Sequence, residues 1–177
     1  EFANSIGMPL REGLVFVHDT LRGFGLRKDI KVIVAGKIIT GFHIARAIAL
    51  GADGCNSARA MMLSIGCIQA LQCNTNTCPV GVATQNKSLV KGLVVDDKAP
   101  RANNYHEGTI HSFLELISAA GLDGPNDLRR EHINKRVGMY NVLTYDEIYP
   151  QIEEGSLLNM DTIPESYQKF FQLTRIM

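Results

Sequence analysis

The sequence predicts an α/β fold assembled from βα units on a parallel sheet, and three observations carry that prediction. Two short strand-like runs, residues 30–35 and 52–57, alternate with three segments of helical apolar period. The connections between them are short, as they are in βα units. The first run, Ile30-Lys31-Val32-Ile33-Val34-Ala35, lacks clean polar alternation, which suits a parallel strand covered on both faces.

Taken in order, residues 12–26 read as an amphipathic helix, with Leu14, Val17, Leu21 and Phe24 at three- and four-residue steps and Gly25 placed to end it. Asp29 leads into the first strand, which Gly36 closes. After Gly36-Lys37-Ile38-Ile39-Thr40-Gly41 a helix runs from about Phe42 to Leu50 and is capped by Gly51. The second strand follows, then a helix from Ala58 through Met61, Met62 and Ile65 towards Ala70. Residues 79–85 are irregular and residues 86–100 read as a polar crossing loop, Asp96 and Asp97 included. Residues 102–120 form the longest helical pattern, with Ile110, Phe113, Leu114 and Ile117 on one stripe and Gly121 at its end. Asn126 or Asp127 offers an N-cap for a helix over 128–137, whose Arg129, Arg130 and Arg136 are expected on an exposed face. Another turn or two is expected over 145–152.

Two strands flanked by apolar helices cannot cover their own edges. A complete (β/α)8 barrel takes about 250 residues. The expectation is therefore the C-terminal portion of a (β/α)8 TIM barrel, residues 1–86, followed by a C-terminal helical extension, residues 87–177. The chain opens on Glu1 rather than Met, so it reads as an excerpt whose first partner is a missing N-terminal barrel segment. Composition is ordinary for a globular core, 45% hydrophobic and 20% charged. A formal net charge of zero gives no support to nucleic-acid or anionic-membrane binding. The apolar runs are too short to span a bilayer and no signal peptide opens the chain, so a cytoplasmic location is expected.

Two constellations carry chemistry. The strand-to-helix turns at Gly36-Lys37 and Asn56-Ser57-Ala58-Arg59 sit where parallel sheets bind ligands and barrels hold phosphate. Helix N-terminal N–H groups and Arg59 suit an anion there, although from the turn alone a plain tight βα turn is the better account of Gly36 and Gly41. The second is Cys67-x5-Cys73-x4-Cys78-Pro79. This spacing misses the paired-cysteine pattern of structural zinc. Three thiols on one loop suit an iron–sulfur cluster, and three free cysteines account for them as well. Asn74, Thr75, Asn76 and Thr77 are placed to turn the loop or to hydrogen-bond cluster sulfurs. Cys55 reads as a small core residue, and His18, His43, His106, His111 and His132 have no partner at ligand spacing.

The stretch from Gly66-Cys67-Ile68-Gln69-Ala70 through Cys73-Asn74-Thr75-Asn76-Thr77-Cys78-Pro79-Val80-Gly81-Val82-Ala83-Thr84-Gln85 closely resembles the cluster loop of the glutamate synthase family. The resemblance extends through Ala35-Gly36-Lys37, Gly51-Ala52-Asp53-Gly54 and Ala58-Arg59-Ala60, and covers most of residues 10–140. It implies that Gly36, Lys37, Ala58 and Arg59 line the phosphate of FMN, and that Cys67, Cys73 and Cys78 hold a [3Fe-4S] cluster. It further implies an oxidoreductase in which electrons pass between flavin and cluster, and 2-iminoglutarate, formed from 2-oxoglutarate and ammonia, is reduced to L-glutamate. An electron-donor protein and a glutaminase subunit are the partners it brings with it. Ala35-Gly36-Lys37 stands where the family has Asp-Gly-Gly, and Ala58-Arg59 where it has Gly-Thr, which points to the smaller, stand-alone class of glutamate synthase-like proteins. Two alternatives stay open at this point: a flavin barrel acting on another substrate, and a non-catalytic fragment that assembles with copies of itself into a homo-oligomer.

Overall fold

The computed structural model describes residues 6–173 of the chain. Residues 1–5, on which the reading of an excerpt rests, lie outside the described residues. The chain is mixed α and β. In order, the elements are α1 (Leu10–Gly23), β1 (Ile33–Ala35), α2 (Gly41–Ala49), β2 (Gly54–Asn56), α3 (Ala58–Ser64), α4 (Val95–Ala119), β3 (Asn134–Arg136), β4 (Val142–Thr144), α5 (Tyr145–Ile148) and α6 (Glu165–Leu173). β1 pairs with β2, and β3 with β4. The alternation read from the sequence is therefore present, with each strand shorter than its apolar run.

Four helices end in one way. α1, α2, α3 and α4 are each followed by a residue and then by Gly25, Gly51, Gly66 or Gly121, at φ between +70° and +110°. At α2, Ala52 N–H bonds the Ala47 carbonyl and Gly51 N–H that of Ile48; at α3, Cys67 N–H bonds Met62 and Gly66 N–H bonds Leu63. This is the Schellman arrangement, which satisfies the last carbonyls and needs a residue free to adopt left-handed φ. Gly25, Gly51 and Gly121 were expected as helix ends. The third helix was expected to reach Ala70, and Gly66 stops it at Ser64.

The chain forms two compact units. One holds residues up to Val34, Arg46–Gly54 and residues from Asn126 onward. Its core cluster is Ile152, Leu157, Ile163 and Tyr167, with Phe16, Phe170 and Phe171 packed against it. Phe16 stacks on Tyr167 with ring centroids 5.8 Å apart and planes 9° from parallel. α6, which carries Tyr167, Phe170 and Phe171, was not expected. The three- and four-residue steps of these rings after Pro164 are the helical signal.

The expected helix over 128–137 is absent. Leu128 and Ile133 are both buried, but five positions apart they cannot share a helical stripe. A 3-10 turn at Arg130–His132 leads instead into a hairpin, with Asn134 opposite Thr144, Lys135 opposite Leu143 and Arg136 opposite Val142. Gly138 and Asn141 lie in its turn, where Val137 N–H bonds the Asn141 carbonyl at 3.0 Å.

Arg130, expected on an exposed face, is 5% exposed, and its guanidinium meets Asp19 at 2.6 and 3.2 Å. Asp19 is 2% exposed on the inner face of α1. Burial pushes the Asp19 carboxyl above its usual range, and the hydrogen bonds and charge of Arg130 pull it back only in part. Arg130 also donates to the Tyr149 carbonyl at 2.6 Å. Next to the pair, His18 is lowered to about 4 by burial and by the charges of Arg130 and Arg27. Its neutral ring accepts from Arg27 Nε at Nδ1, 2.9 Å away. That leaves the ring proton on Nε2, and the 3.1 Å contact with Gln151 is a hydrogen bond when the Gln151 amide oxygen faces the ring. Arg27 also reaches the Gly51 carbonyl and Asp53, both at 2.7 Å.

The second unit holds Ala35–Ala45 and Cys55–Pro125. α3 packs on α4 within it. α4 begins at Val95, so the residues read as a crossing loop open a helix. Asp96 and Asp97 sit in its first turn, where carboxylates are favoured, and the helix continues through Pro100. Burial is concentrated at Ile38, Ala45, Ala60, Phe113 and Ile117.

Two outcomes follow for stability. Arg130→Met strands a buried carboxylate and should lower unfolding free energy by about 3–5 kcal/mol, while Asp19→Asn combined with Arg130→Met should recover most of the loss; urea unfolding measures both. The folded His18 binds its proton less readily than the unfolded chain. Its contribution is therefore complete above the unfolded value near 6.5 and lost as pH falls through that value towards 4. Urea midpoints measured from pH 7 down to 4 should fall more steeply for the parent chain than for His18→Gln.

Candidate functional site

Both predicted site clusters lie in the second unit. β1 ends at Ala35, and Gly36 and Lys37 follow it, both exposed. Lys37 has φ +54°, a left-handed backbone that costs a residue with a Cβ on the order of 1–3 kcal/mol and concentrates at functional turns. β2 ends at Asn56, and α3 opens with Ala58 and Arg59, both exposed. The Ser57 hydroxyl donates to the Ile38 carbonyl at 2.7 Å and so ties the two strand-to-helix turns together. Because that hydroxyl is engaged, Ser57 does not cap α3 with its side chain. The first N–H groups of α3, Arg59 and the exposed Gly36-Lys37 backbone thus stand on two linked turns. Chemically these are the parts an oxyanion binds: backbone donors, a helix start and a cation.

The cysteine loop starts where α3 stops. The cap at Gly66 turns the chain out of the helix, and Cys67 is the first residue beyond it. Cys67 Sγ accepts from Gln69 N–H at 3.4 Å. Gln69, Leu71 and Asn76 have φ of +57°, +56° and +61°, so three of the four left-handed non-glycine residues described lie between the first and third cysteines. Such a backbone persists only where surrounding contacts hold it.

Those contacts are specific. Asn76 Oδ1 accepts from Gln85 N–H at 2.7 Å and from the Thr84 hydroxyl at 3.0 Å, and the Asn76 carbonyl lies 2.7 Å from the same hydroxyl. Thr75 and Thr77 share a 2.6 Å hydroxyl contact and both reach Gln72, one at its carbonyl and one at its side chain.

Cys67 is half-buried, Cys73 exposed and Cys78 buried, and all are free thiols. Cys78 is 7% exposed. The backbone of Ala83 first, then of Val80, Val82 and Gly81, holds its thiol below the ordinary range, against the opposing effect of desolvation.

Among the described residues, no group of three or more His, Cys, Asp and Glu is arranged to hold a metal ion. Thiolates on one tetrahedral ion stand about 4 Å apart, given metal–sulfur bonds near 2.3 Å. Thiolates that each bind a different iron of a cluster stand further apart. Three soft thiol donors on one loop are chemically suited to the wider group.

Other features of the site were not visible in the sequence. Lys98 and Arg101 of α4 come to the start of the loop: a Cβ on Gly66 would lie 3.8 Å from Lys98 Nζ and 3.9 Å from Arg101 Nη1. Lys98 also pairs with Asp97 at 2.6 Å. Cys55 is half-buried in β2, with its thiol pushed up by burial, in keeping with a packing role. His106 and His111 are exposed on α4.

The family model described as a conserved region in glutamate synthase matches residues 1–123. A glutamate synthase large subunit-like protein, YerD, of Bacillus subtilis is 39% identical over 163 residues, covering 92% of this chain and 28% of the relative. An archaeal glutamate synthase [NADPH] of Methanocaldococcus jannaschii is 36% identical over 128 residues, 72% of this chain and 25% of its own length. The glutamate synthase [NADPH] large chain of Bacillus subtilis is 30% identical over 167 residues, 93% of this chain and 10% of the relative. The chain thus spans about a quarter or less of the length of these relatives, and across most of its own length it belongs to the glutamate synthase family.

Proposed function

We propose that this chain supplies the phosphate-binding turns and the iron–sulfur ligand loop of an FMN-dependent glutamate synthase-type oxidoreductase. The observation that carries the reading is the cysteine loop. Cys67, Cys73 and Cys78 lie on one segment whose backbone is left-handed at Gln69, Leu71 and Asn76, and the backbone around Cys78 holds its thiol below the ordinary range. Family membership supplies the reaction class.

In this reading Gly36, Lys37, Ala58 and Arg59 receive the phosphate of FMN, largely through backbone N–H groups, with Arg59 adding charge. Cys67, Cys73 and Cys78 ligate a [3Fe-4S] cluster. Bound there, the flavin supplies hydride chemistry and the cluster single-electron transfer. The chain's own residues bind, orient and charge-match these groups. The backbone around Cys78 favours its ionised form, and the Ser57–Ile38 bond ties the two turns together. The whole protein then converts 2-oxoglutarate and ammonia, with loss of water, to 2-iminoglutarate. Hydride and a proton added across the imine give L-glutamate. The β1–β2 units belong to a (β/α)8 barrel completed by residues outside this chain, with an electron-donor protein and a source of ammonia from glutamine as partners. No described helix is long and apolar enough to cross a membrane, and the proposal places the enzyme in the cytoplasm.

Two measurements test this on the full-length parent, purified without oxygen. Iron and acid-labile sulfide should accompany broad visible absorption, and Cys73→Ser should remove all three; colourless, iron-free parent protein would end the cluster assignment. Arg59→Ala should weaken FMN retention about tenfold, the loss of one charge-assisted hydrogen bond, read by flavin fluorescence on dilution. Unchanged retention would remove Arg59 from the phosphate site.

A further inference from the structure

Asn76 stands midway between Cys73 and Cys78 and touches neither sulfur in any hydrogen bond given above. It is left-handed at φ +61°, a conformation Asn tolerates better than most residues with a side chain. Its side-chain oxygen binds forward, nine residues on, to Gln85 N–H at 2.7 Å and to the Thr84 hydroxyl at 3.0 Å. Acceptance from a backbone N–H identifies that atom as the amide oxygen. Its carbonyl meets the same hydroxyl at 2.7 Å. Thr84 is itself fixed, because its oxygen accepts from Asn86 N–H at 3.1 Å. Between these two anchor points lie Cys78 and the segment Pro79–Ala83, whose backbone from Val80 to Ala83 lowers the Cys78 thiol.

The consequence is geometric. The Asn76–Thr84 contact joins residues on either side of Cys78 in sequence, so it restrains the loop that carries Cys73 and Cys78. The neighbouring hydroxyls of Thr75 and Thr77 are held by Gln72 on the other side, which leaves Asn76 as the described side chain that joins the cysteine segment to the segment after it.

We propose that Asn76 and Thr84 form a latch that positions the cluster ligands Cys73 and Cys78, so that both residues govern how tightly iron is held without ligating it. The inference rests on the iron–sulfur reading above and concerns only this chain's residues. Partners that orient metal ligands typically change metal retention ten- to a hundred-fold when lost.

The test uses the full-length parent, loaded without oxygen, and follows bleaching of the visible cluster absorption after addition of an iron chelator. Asn76→Gly keeps the left-handed backbone and removes the side-chain acceptor, and Thr84→Val removes the donor at nearly constant volume. Each should speed iron loss at least about tenfold, and the two together should fall short of the product of the single effects, because they share the contact between Asn76 Oδ1 and the Thr84 hydroxyl. Asn76→Asp keeps both the acceptor and the left-handed tolerance and should lose iron at nearly the parent rate. Circular dichroism melting should differ little among the variants, since the contact lies on an exposed loop. Parent-like iron loss in both Asn76→Gly and Thr84→Val would overturn the latch while leaving the cluster assignment intact. A parent protein that holds no iron would overturn that assignment, and the latch with it.

Discussion

The first unit turns on a buried charge. Asp19 faces inward from α1, and among the described residues Arg130, 111 positions later, is the one that meets it at hydrogen-bond distance with charge of opposite sign. Ionised carboxylate without a partner is costly in a packed interior, so the fold of this unit requires the arginine to arrive. The segment that delivers it cannot be a helix, because Leu128 and Ile133 must both be buried on either side of it. The 3-10 turn and the β3–β4 hairpin are the solution. His18 and Arg27 extend the arrangement. A histidine held neutral beside two arginines accepts a hydrogen bond from one of them, and Arg27 carries the contact on to Gly51 and Asp53 at the end of α2. Gly51 keeps room for this: a Cβ there would run into the His18 ring.

The second unit depends on where helices stop. α3 is seven residues long, and the Gly66 cap is what releases Cys67 into solvent-facing loop rather than onto another helical turn. From that point the backbone is held in left-handed conformations at Gln69, Leu71 and Asn76 by side-chain and backbone hydrogen bonds, with little core beneath it. A loop of this length with few buried apolar contacts would ordinarily be among the least protected parts of a domain. Its order comes from polar contacts among Gln72, Thr75, Asn76, Thr77, Thr84 and Gln85 rather than from packing.

Much of this was legible in the sequence, and the reasons differ by region. Periodicity found α1, α2 and α4, and Gly25, Gly51 and Gly121 marked their ends, because a Schellman cap writes itself as a glycine after the last apolar position. Gly66 was readable by the same rule, but the apolar run Ile65-Gly66-Cys67-Ile68 masked it. Cysteine spacing and the two turns located the candidate site, since those features are local. The hairpin, the buried Arg130 and the approach of Lys98 and Arg101 to Gly66 were not readable, because each depends on residues distant in sequence. A triplet of arginines within eight positions looks like a solvated helix face until one of them is paired across the unit with Asp19. The 39% identity with YerD over 92% of the chain agrees with the resemblance read from the cysteine loop and the two turns.

The central claim is that Cys67, Cys73 and Cys78 hold a polynuclear iron–sulfur cluster in a protein that also carries FMN. Native mass spectrometry of the anaerobic full-length parent tests it most directly, because one spectrum counts every bound group. The account predicts a mass excess over the denatured chain equal to one FMN plus three irons and four sulfides. An excess of a single metal ion, or none, would contradict it.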